Sequence, residues 1–588
     1  MEPLETANET ANASNFSAHI PAVELVGGGV ITLPKAGVTA IVGANNAGKS
    51  TLLREIAAHV KHGYGGARLY STAHIVDRVT VKLSGSMQDA YQWVSQHAKL
   101  VNTNGNEVFI RPGGQVIARS VVEHLSANIS ANGLQDVNEL LVFYGDAWQR
   151  LSGAAPVEMR DTFDGPAVSP LHVLQDSRDL FDELSAISLE IFGKPLTLDR
   201  LSKQVNLRVG DPGVPAPKID NVSEEYWRAL AALPRLDDQG DGMRSLIGLL
   251  VPLLASAYPI VFIDEPEAFL HPPQAMALGR ILGEQSKSKQ TQIVLATHDR
   301  DFLSGLLNSE ADVSIVRLER RSDDRTHAYQ LNVNELRGIW DDPVLRYSNV
   351  LDGLFHKAVI LAEAERDCKF YSSALEEWEP RADLPVLPGD VLFVPSGGKD
   401  GFPRLARVLR SASVPVTVSP DLDILNDRGK LRVLVEAMGG NWSSVQEDYD
   451  RATAQFRQPR ESTYVSNVLA ALNGVFASRG EERFTAEVRS EFMAQLRGKG
   501  SPWTALKDYG ELAFRADPAA SQRLLGKLEA MGIVPVRVGE LERFAPHLGV
   551  AKGAAWLPAA IAAGCHRRED VRNHVAALVR AASMSTAI

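Results

Sequence analysis

Cysteine is nearly missing from this sequence: Cys368 and Cys565 are the two present in 588 residues. That excludes a fold stapled by disulfides and suits a reducing compartment, so a cytoplasmic location is expected. No apolar run reaches the roughly 18 residues that a membrane helix needs, so no membrane partner is expected. Glu2 and Glu5 stand where a secretion signal would be basic, and no apolar core follows them. Positive charge is not in surplus either: 61 Lys and Arg face 72 Asp and Glu, for a net charge of −11. That argues against a protein coating nucleic acid over its whole surface, and leaves room for a local basic channel. There is no Cys/His metal spacing, no Ser-His-Asp arrangement and no internal repeat. Residues 1–18, polar and rich in Ala, Asn and Thr, read as a loose, disordered tail. What the chain does have is bulk: 45% of it is apolar, enough for two to four domains with real cores.

One stretch organises the rest. Residues 43–51 run Gly43-Ala44-Asn45-Asn46-Ala47-Gly48-Lys49-Ser50-Thr51, the phosphate-binding pattern GxxxxGK[ST]. The apolar run Val38 to Val42 leads in as a short buried strand. Leu52, Leu53, Ile56, Ala57 and Val60 follow at helical spacing, with Gly63 placed to end the helix. The glycines let the backbone curl with its N–H groups inward, and the helix N-terminus adds partial positive charge. Gly43, Asn45, Asn46, Gly48, Lys49, Ser50 and Thr51 therefore read as a cradle for ATP. Lys49 is the group that reaches the β/γ-phosphates, and the Ser50 hydroxyl is the Mg²⁺ ligand.

The α/β theme resumes at residues 205–345. Ile260 to Ile263 is an apolar strand ending in Asp264-Glu265, and Gln292 to Ala296 is another ending in Thr297-His298-Asp299. A helix from about Pro273 separates them, which fits a parallel sheet holding its ligand at the C-terminal edge. Asp264 is placed to put a carboxylate near Mg²⁺, Glu265 to polarise an attacking water, and His298 to contact the γ-phosphate. The text from Ile263 to Pro272, followed by Ala296 to Asp299, resembles the ABC-type ATPases of the SMC and overcoming-lysogenization-defect (OLD) groups. The resemblance implies that Gly240 and Gly242, just before a helix, stand in the signature loop and contact ATP on a second copy. ATP would then be shared across a head-to-head homodimer. The segment departs from the family's Ser-Gly-Gly-Gln form, leaving backbone N–H groups and the helix dipole to serve there. No convincing Q-loop glutamine is found in residues 64–160. Residues 91–204 carry helical periodicity without a motif and read as a helical insertion or dimerisation arm, the alternative being more ATPase core. Leu180, Leu184, Ile187 and Ile191 mark one helix there, stopped by Gly193 and Pro195.

From residue 346 the alternation starts afresh. Strands are expected at Ala358–Ala362, Val391–Pro395 and Val414–Val418, helices at Arg366–Leu375 and Phe402–Ala412, and one more strand near Ile533–Val538 in a helical tail. Glu363 and Asp367 follow the first strand; Asp421 and Asp423 follow the third, on one side of an extended segment. Carboxylates at adjacent strand ends repel unless cations sit among them, and oxygen ligands favour Mg²⁺ or Mn²⁺. Such ions serve phosphodiester cleavage by activating water and stabilising the leaving oxygen. The run Leu354 to Glu363 with Asp367, then Asp421-Leu422-Asp423, resembles the Toprim domain of OLD-family nucleases, with Ala364 where those usually carry Gly. The resemblance implies a catalytic lysine, for which Lys507 is the candidate, and last metal ligands, for which Glu540 and Glu542 are the candidates. Arg404, Arg407 and Arg410 line one helix face that could track a DNA backbone.

The expected fold class is therefore α/β. An ABC-type P-loop ATPase spans residues 19–90 and 205–345, interrupted by the insertion at 91–204, and a Toprim, Rossmann-like domain with a helical C-terminal region occupies 346–588. OLD-family members include the Gabija nuclease subunit and other anti-phage effectors. The resemblance implies an ATP-regulated, metal-dependent DNA endonuclease of phage defence, working as a dimer or tetramer, with room for a second defence-system protein. A reading from another class is an ATP-driven sensor or scaffold whose Toprim unit only binds; Ala364 and the altered signature turn motivate it. The ATPase of a membrane transporter would leave the acids beyond residue 346 without a purpose.

Overall fold

Buried apolar strands set the architecture. The computed structural model describes residues 15–67, 75–103, 105–123, 133–162, 164–217, 221–320, 325–331, 333, 334, 337, 350–378, 384, 386–457, 464–479, 483–496, 501–550 and 552–584. The chain divides into two units, Met1–Trp340 and Asp341–Ile588. Residues 1–14 of the expected tail lie outside the described residues, while Ser17 and Ala18 already belong to the first strand.

In the first unit, β1 (Ser17–Leu25) pairs antiparallel with β2 (Val30–Thr32). The strand that feeds the phosphate loop, β3 (Gly37–Gly43), is buried at every residue. α1 (Lys49–Ala67) follows, with Gly63 at φ +67 interrupting its helical geometry. Its buried Leu52, Leu53, Ile56 and Val60 share a core with Phe262, Val294 and Val316. Each such burial is worth about 1.5–3 kcal/mol. β4 (Val76–Ser84) completes a small sheet of order β2-β1-β4.

Residues 91–204 depart from the expected helical insertion. α2 (Met87–His97) leads into an antiparallel sheet of β5 (Lys99–Thr103), β6 (Asn106–Ile110) and β7 (Val116–Ala118). β8 (Val142–Gly145) then pairs parallel with the strand that carries Asp264, so part of this block is ATPase core. α3 (Ala147–Ser152), β9 (Val157–Glu158), α4 (Arg178–Phe192), β10 (Leu196–Asp199) and β11 (Gln204–Val209) follow. α4 buries Leu184 and Ile187 and is closed by Gly193 in the left-handed region at φ +69.

α5 (Asp241–Ala255), β12 (Ile260–Asp264), α6 (Pro272–Lys289), β13 (Gln292–Ala296), β14 (Val313–Arg320) and β15 (Thr326–Gln330) complete the unit. The central sheet runs β15-β14-β3-β13-β12-β8, with β15 antiparallel to its neighbour and the rest parallel. Strands buried on both faces need the continuous apolar runs seen here. Because β3, β13 and β12 are parallel neighbours, the phosphate loop, Thr297-His298 and Asp264-Glu265 leave the sheet at one edge.

In the second unit, β16 (Ala358–Ala362) is wholly buried. After α7 (Glu365–Glu376) come β17 (Val391–Pro395), α8 (Gly401–Ser411) and β18 (Val416–Ser419). The sheet order is β17-β16-β18, all parallel. α8 buries Phe402, Leu405 and Leu409 and exposes Arg404 and Arg407. In place of a strand at 533–538 there are two isolated parallel bridges, Val418 to Ile533 and Asp421 to Val536. Val534 and Val536 donate to the Val418 and Pro420 carbonyls, but Pro420 has no N–H to return, so the ladder breaks there. α9 (Thr504–Tyr509) and α10 (Glu569–Met584) belong to the helical C-terminal region. Among the described residues no helix is long and apolar enough to cross a membrane.

Candidate functional site

Two clusters of chemistry-bearing side chains stand at the C-terminal strand ends, one in each unit. In the first, the backbone itself shapes the loop. Gly43 takes φ +147, and a β-carbon there would come 2.5 Å from the Leu318 carbonyl oxygen, so no other residue fits without displacing β14. Gly48 (φ +95) and Asn46 (φ +63) make the other left-handed turns. Asn45 and Asn46 are exposed at the crest. Lys49 is buried and folds back, its Nζ donating to the carbonyls of Gly43 (2.9 Å) and Ala44 (3.2 Å). Burial lowers its pKa, and Glu265, Glu267 and Asp264 oppose that. Such a lysine can exchange two neutral acceptors for a charged phosphate oxygen. Ser50 Oγ donates to Asp264 Oδ1 at 2.9 Å, so the two expected Mg²⁺-side groups already touch. Burial raises the Asp264 pKa. Thr51 continues α1 beside them.

Glu265 sits in the left-handed region at φ +48, which costs a non-glycine residue about 1–3 kcal/mol. His298 Nδ1 lies 3.4 Å from Glu265 Oε1 and 3.4 Å from Glu267 Oε1. Glu267 is buried and accepts from Thr297 Oγ1 (2.8 Å) and the His298 N–H (3.1 Å); burial raises its pKa. Glu265 and His298 thus stand side by side, and Glu267, given no role by the sequence, is the group that holds the His298 backbone. Gly240 is the extended residue just before α5, and Gly242 packs on the turn after Asp264-Glu265, where a β-carbon would lie 2.6 Å from the Phe269 oxygen. Arg150 was also missed. It is buried on α3 and donates from Nη2 to the Glu265 carbonyl at 2.9 Å.

The second cluster lies where β16 and β18 end. Glu363, Asp421 and Asp423 bring one carboxylate oxygen each to within 4.8 Å of one another. Glu363 Oε1 accepts the Asp421 N–H at 3.1 Å. Burial, then the neighbouring acids Glu363, Asp367 and Asp423, push Asp421 up to about 8, and burial also raises Glu363. Asp423 is the exception. Burial works against its charge, yet hydrogen bonds from Lys399 and Lys507 hold its pKa below the ordinary value. Lys507 Nζ is 2.9 Å from Asp423 Oδ2, and Lys399 pairs with Oδ1. Lys399 follows the turn Gly397 (φ +73) and Gly398 (φ +107), whose N–H donates to the Glu363 carbonyl at 3.0 Å. Gly539 locks the lysine from the other side. It receives the Leu422 N–H at 2.9 Å, and a β-carbon on it would lie 2.6 Å from the Lys507 oxygen.

Three expected ligands fall outside this triad. Asp367 Oδ2 accepts the Ala364 N–H at 2.7 Å and so caps the start of α7; burial raises its pKa to about 6. Glu540 pairs with Lys552 at 3.0 Å, and Glu542 pairs with Arg366 at 2.9 Å and Lys552 at 3.6 Å. These ion pairs hold both carboxylates beside the triad rather than within it, although both buried Glu542 oxygens lack a hydrogen bond and its charge acts on Asp367.

Comparison with known proteins bears on both units. The family described as "AAA domain, putative AbiEii toxin, Type IV TA system" matches residues 110–304, the part of the first unit that includes β8, β12 and β13. The first unit is an ATPase domain. A protein of Thermus scotoductus named OLD nuclease is 23% identical over 434 residues, covering 67% of this chain and 79% of that one. This chain is similar to that OLD nuclease over two thirds of its length. Among solved structures, the SMC head domain from Thermotoga maritima is 15% identical and spans 54% of this chain and 98% of that one, with a TM-score of 0.28. The cbiO1 protein of Clostridium perfringens, part of an ABC transporter complex, is 14% identical over 56% of this chain and 94% of that one, with a TM-score of 0.29. The family match ends at residue 304 and does not reach the triad.

Proposed function

We propose that the chain is an ATP-regulated, divalent-metal-dependent DNA endonuclease of the OLD type, with its nuclease chemistry in a Toprim-like second unit. The observation that carries the reading is the meeting of Glu363, Asp421 and Asp423 within 4.8 Å beside two lysines. The fit to a divalent cation is chemical. All three donors are oxygens, and Glu363 and Asp421, unlike Asp423, have their charge disfavoured in the free protein. Glu363, Asp421 and Asp423 would hold Mg²⁺ or Mn²⁺, which supplies an activated water and charge stabilisation for phosphodiester cleavage. Lys507 and Lys399 are then the cations that face charge growing on a phosphate oxygen. Asp367, Glu540 and Glu542 orient the neighbourhood through the cap and the ion pairs described above.

In the first unit, Gly43, Asn45, Asn46, Gly48, Lys49, Ser50 and Thr51 cradle the triphosphate of ATP. Ser50 and Asp264 hold its Mg²⁺, Glu265 polarises water, and His298 meets the γ-phosphate. Gly240 and Gly242 present the start of α5 to ATP on a second copy, in a homodimer that can assemble further. Dimer closure around ATP is the step that would regulate cutting. The kinship with OLD nuclease supports a role against phage DNA inside the cytoplasm, alone or with a second defence protein.

Supercoiled plasmid incubated with Mg²⁺ or Mn²⁺, with and without ATP, tests the reading. Conversion to open circles, lost in Asp421→Ala and Glu363→Ala and altered in its ATP response by Lys49→Ala, is expected. One observation favours the alternative of an ATP-driven sensor with a binding-only second unit: Lys399 and Lys507 both already neutralise Asp423. No nicking under any condition, with plasmid still retained by the protein, would establish that alternative.

A further inference from the structure

Arg150 is an arginine with almost no access to water: its residue is 1% exposed. Desolvating a guanidinium is costly unless acids or acceptors replace water. Here Nη2 donates to the Glu265 carbonyl (2.9 Å) and Nε to the Asp146 carbonyl (3.2 Å), while the charges of Glu267, Asp264, Asp146 and Glu265 act on it. It therefore bonds the main chain of the one residue at the end of β12 that is held at positive φ. The Glu265 N–H is bonded on its other side to the Ala296 carbonyl at the end of β13 (2.9 Å). The left-handed turn that aims the Glu265 carboxylate at His298 is thus clamped at both of its peptide groups.

Arg150 is also where α3 meets α5. The two helices approach with no side chain between them. A β-carbon on Gly248 would lie 1.8 Å from the Arg150 oxygen, and one on Gly153 would lie 2.0 Å from the Gly248 oxygen. α5 is the helix whose first turn, at Gly242, stands against the Phe269 turn. A displacement of α5 cannot be absorbed at this crossing by side-chain rearrangement, because there are no side chains to rearrange.

We infer that Arg150 is a positioning residue for ATP hydrolysis: it fixes the backbone of Glu265, and the Gly153–Gly248 crossing makes that aim depend on where α5 sits. The inference rests on Glu265 being the residue that acts on water. Arg150 touches neither nucleotide nor water in this role; it acts through Glu265 and ties the hydrolytic carboxylate to the helix proposed to meet the second copy.

Steady-state ATP hydrolysis by the full chain, with nucleotide affinity measured separately by a fluorescent ATP analogue, tests it. Arg150→Gln is expected to lower kcat at least tenfold while KM and analogue affinity stay within twofold, and Arg150→Lys to recover part of the loss. Arg150→Lys keeps the buried charge and reads the contact even if Arg150→Gln fails to fold; Gly248→Ala, whose β-carbon presses on the Arg150 carbonyl, is scored on its folded fraction and should lower kcat tenfold at unchanged KM. Glu265→Gln is the control. If it hydrolyses ATP normally, the reading of Glu265 falls, and this inference with it. If Glu265→Gln is inactive but folded Arg150→Gln and Gly248→Ala keep kcat within twofold of the parent, or lose affinity instead, the inference alone is overturned.

Discussion

Asp421 offers a sharp test of the proposed cation site, because its proton and a metal ion compete for one carboxylate. In the free protein its pKa stands at about 8 against an ordinary 3.8. A carboxyl pKa raised on folding means that the folded state binds the proton more tightly. The stability it lends is complete below about pH 4 and is lost as pH rises through about 8. A divalent ion needs the carboxylate, so binding must expel that proton, and apparent affinity falls tenfold for each pH unit below 8. Between pH 8, where the group is half ionised, and pH 6 the loss is about 50-fold, or about 2.3 kcal/mol. Asp423 adds nothing to this slope, since Lys399 and Lys507 keep it ionised. Asp367 enters near pH 6, where its own pKa lies. The assay is calorimetric titration of Mn²⁺ at pH 6, 7 and 8 without nucleotide, in an Asp264→Asn background that silences the phosphate-loop site. Two buffers of different ionisation heat count the protons released. About one proton per ion is expected at pH 7 and a flat, weak profile in Asp421→Asn. Affinity independent of pH from 6 to 8 with no proton release would refute the argument. The same linkage predicts that the metal-free protein melts lower at pH 8 than at pH 6, and that Mn²⁺ narrows the gap.

Other outcomes follow from single contacts. Lys49→Ala removes a donor that now bonds only the loop's own carbonyls, so nucleotide affinity should fall at least tenfold with little change in melting temperature. Gly43→Ala drives a β-carbon against the Leu318 carbonyl and should destabilise the first unit by about 1–3 kcal/mol, read by denaturant unfolding. Asp367→Asn should cost about 1 kcal/mol as a weakened helix cap while leaving Mn²⁺ affinity within a few-fold, whereas Asp421→Asn should abolish the tight site.

The elements that position both clusters were legible because parallel strands buried on two faces must be continuously apolar. β12, β13, β16 and β18 therefore announce themselves, and the acids that follow them point to the site. β8 does not. It is four residues long, sits at the sheet edge with Phe143 and Tyr144 half-buried, and lies in a block whose short strands carry no long run. Asp367 was misread for a specific reason: an acid three residues into a helix serves its own N-terminus as readily as a metal. Lys399 follows a two-glycine turn with no periodicity, and only the fold shows that the turn brings it back to Asp423. Arg150 was hidden because nothing in a sequence distinguishes a buried arginine from a surface one.

Lys507 reaches Asp423 across 84 residues of chain, held by Gly539, which accepts the Leu422 N–H and abuts the Lys507 carbonyl, by buried Leu506, and by Trp503, whose ring lies 5.2 Å from that of Phe456. Between the two lie the helices Val465–Arg479 and Ala486–Leu496, which lean on each other through Phe476 and Phe492, with ring centroids 4.5 Å apart. Among the described residues, the ion pair to Asp423 and the Gly539 contact that place the lysine involve neither helix. That makes the stretch a natural port for engineering: a short flexible bridge from Arg457 to Ser501, or a fluorescent reporter spliced between them, should leave Mn²⁺ affinity where it was.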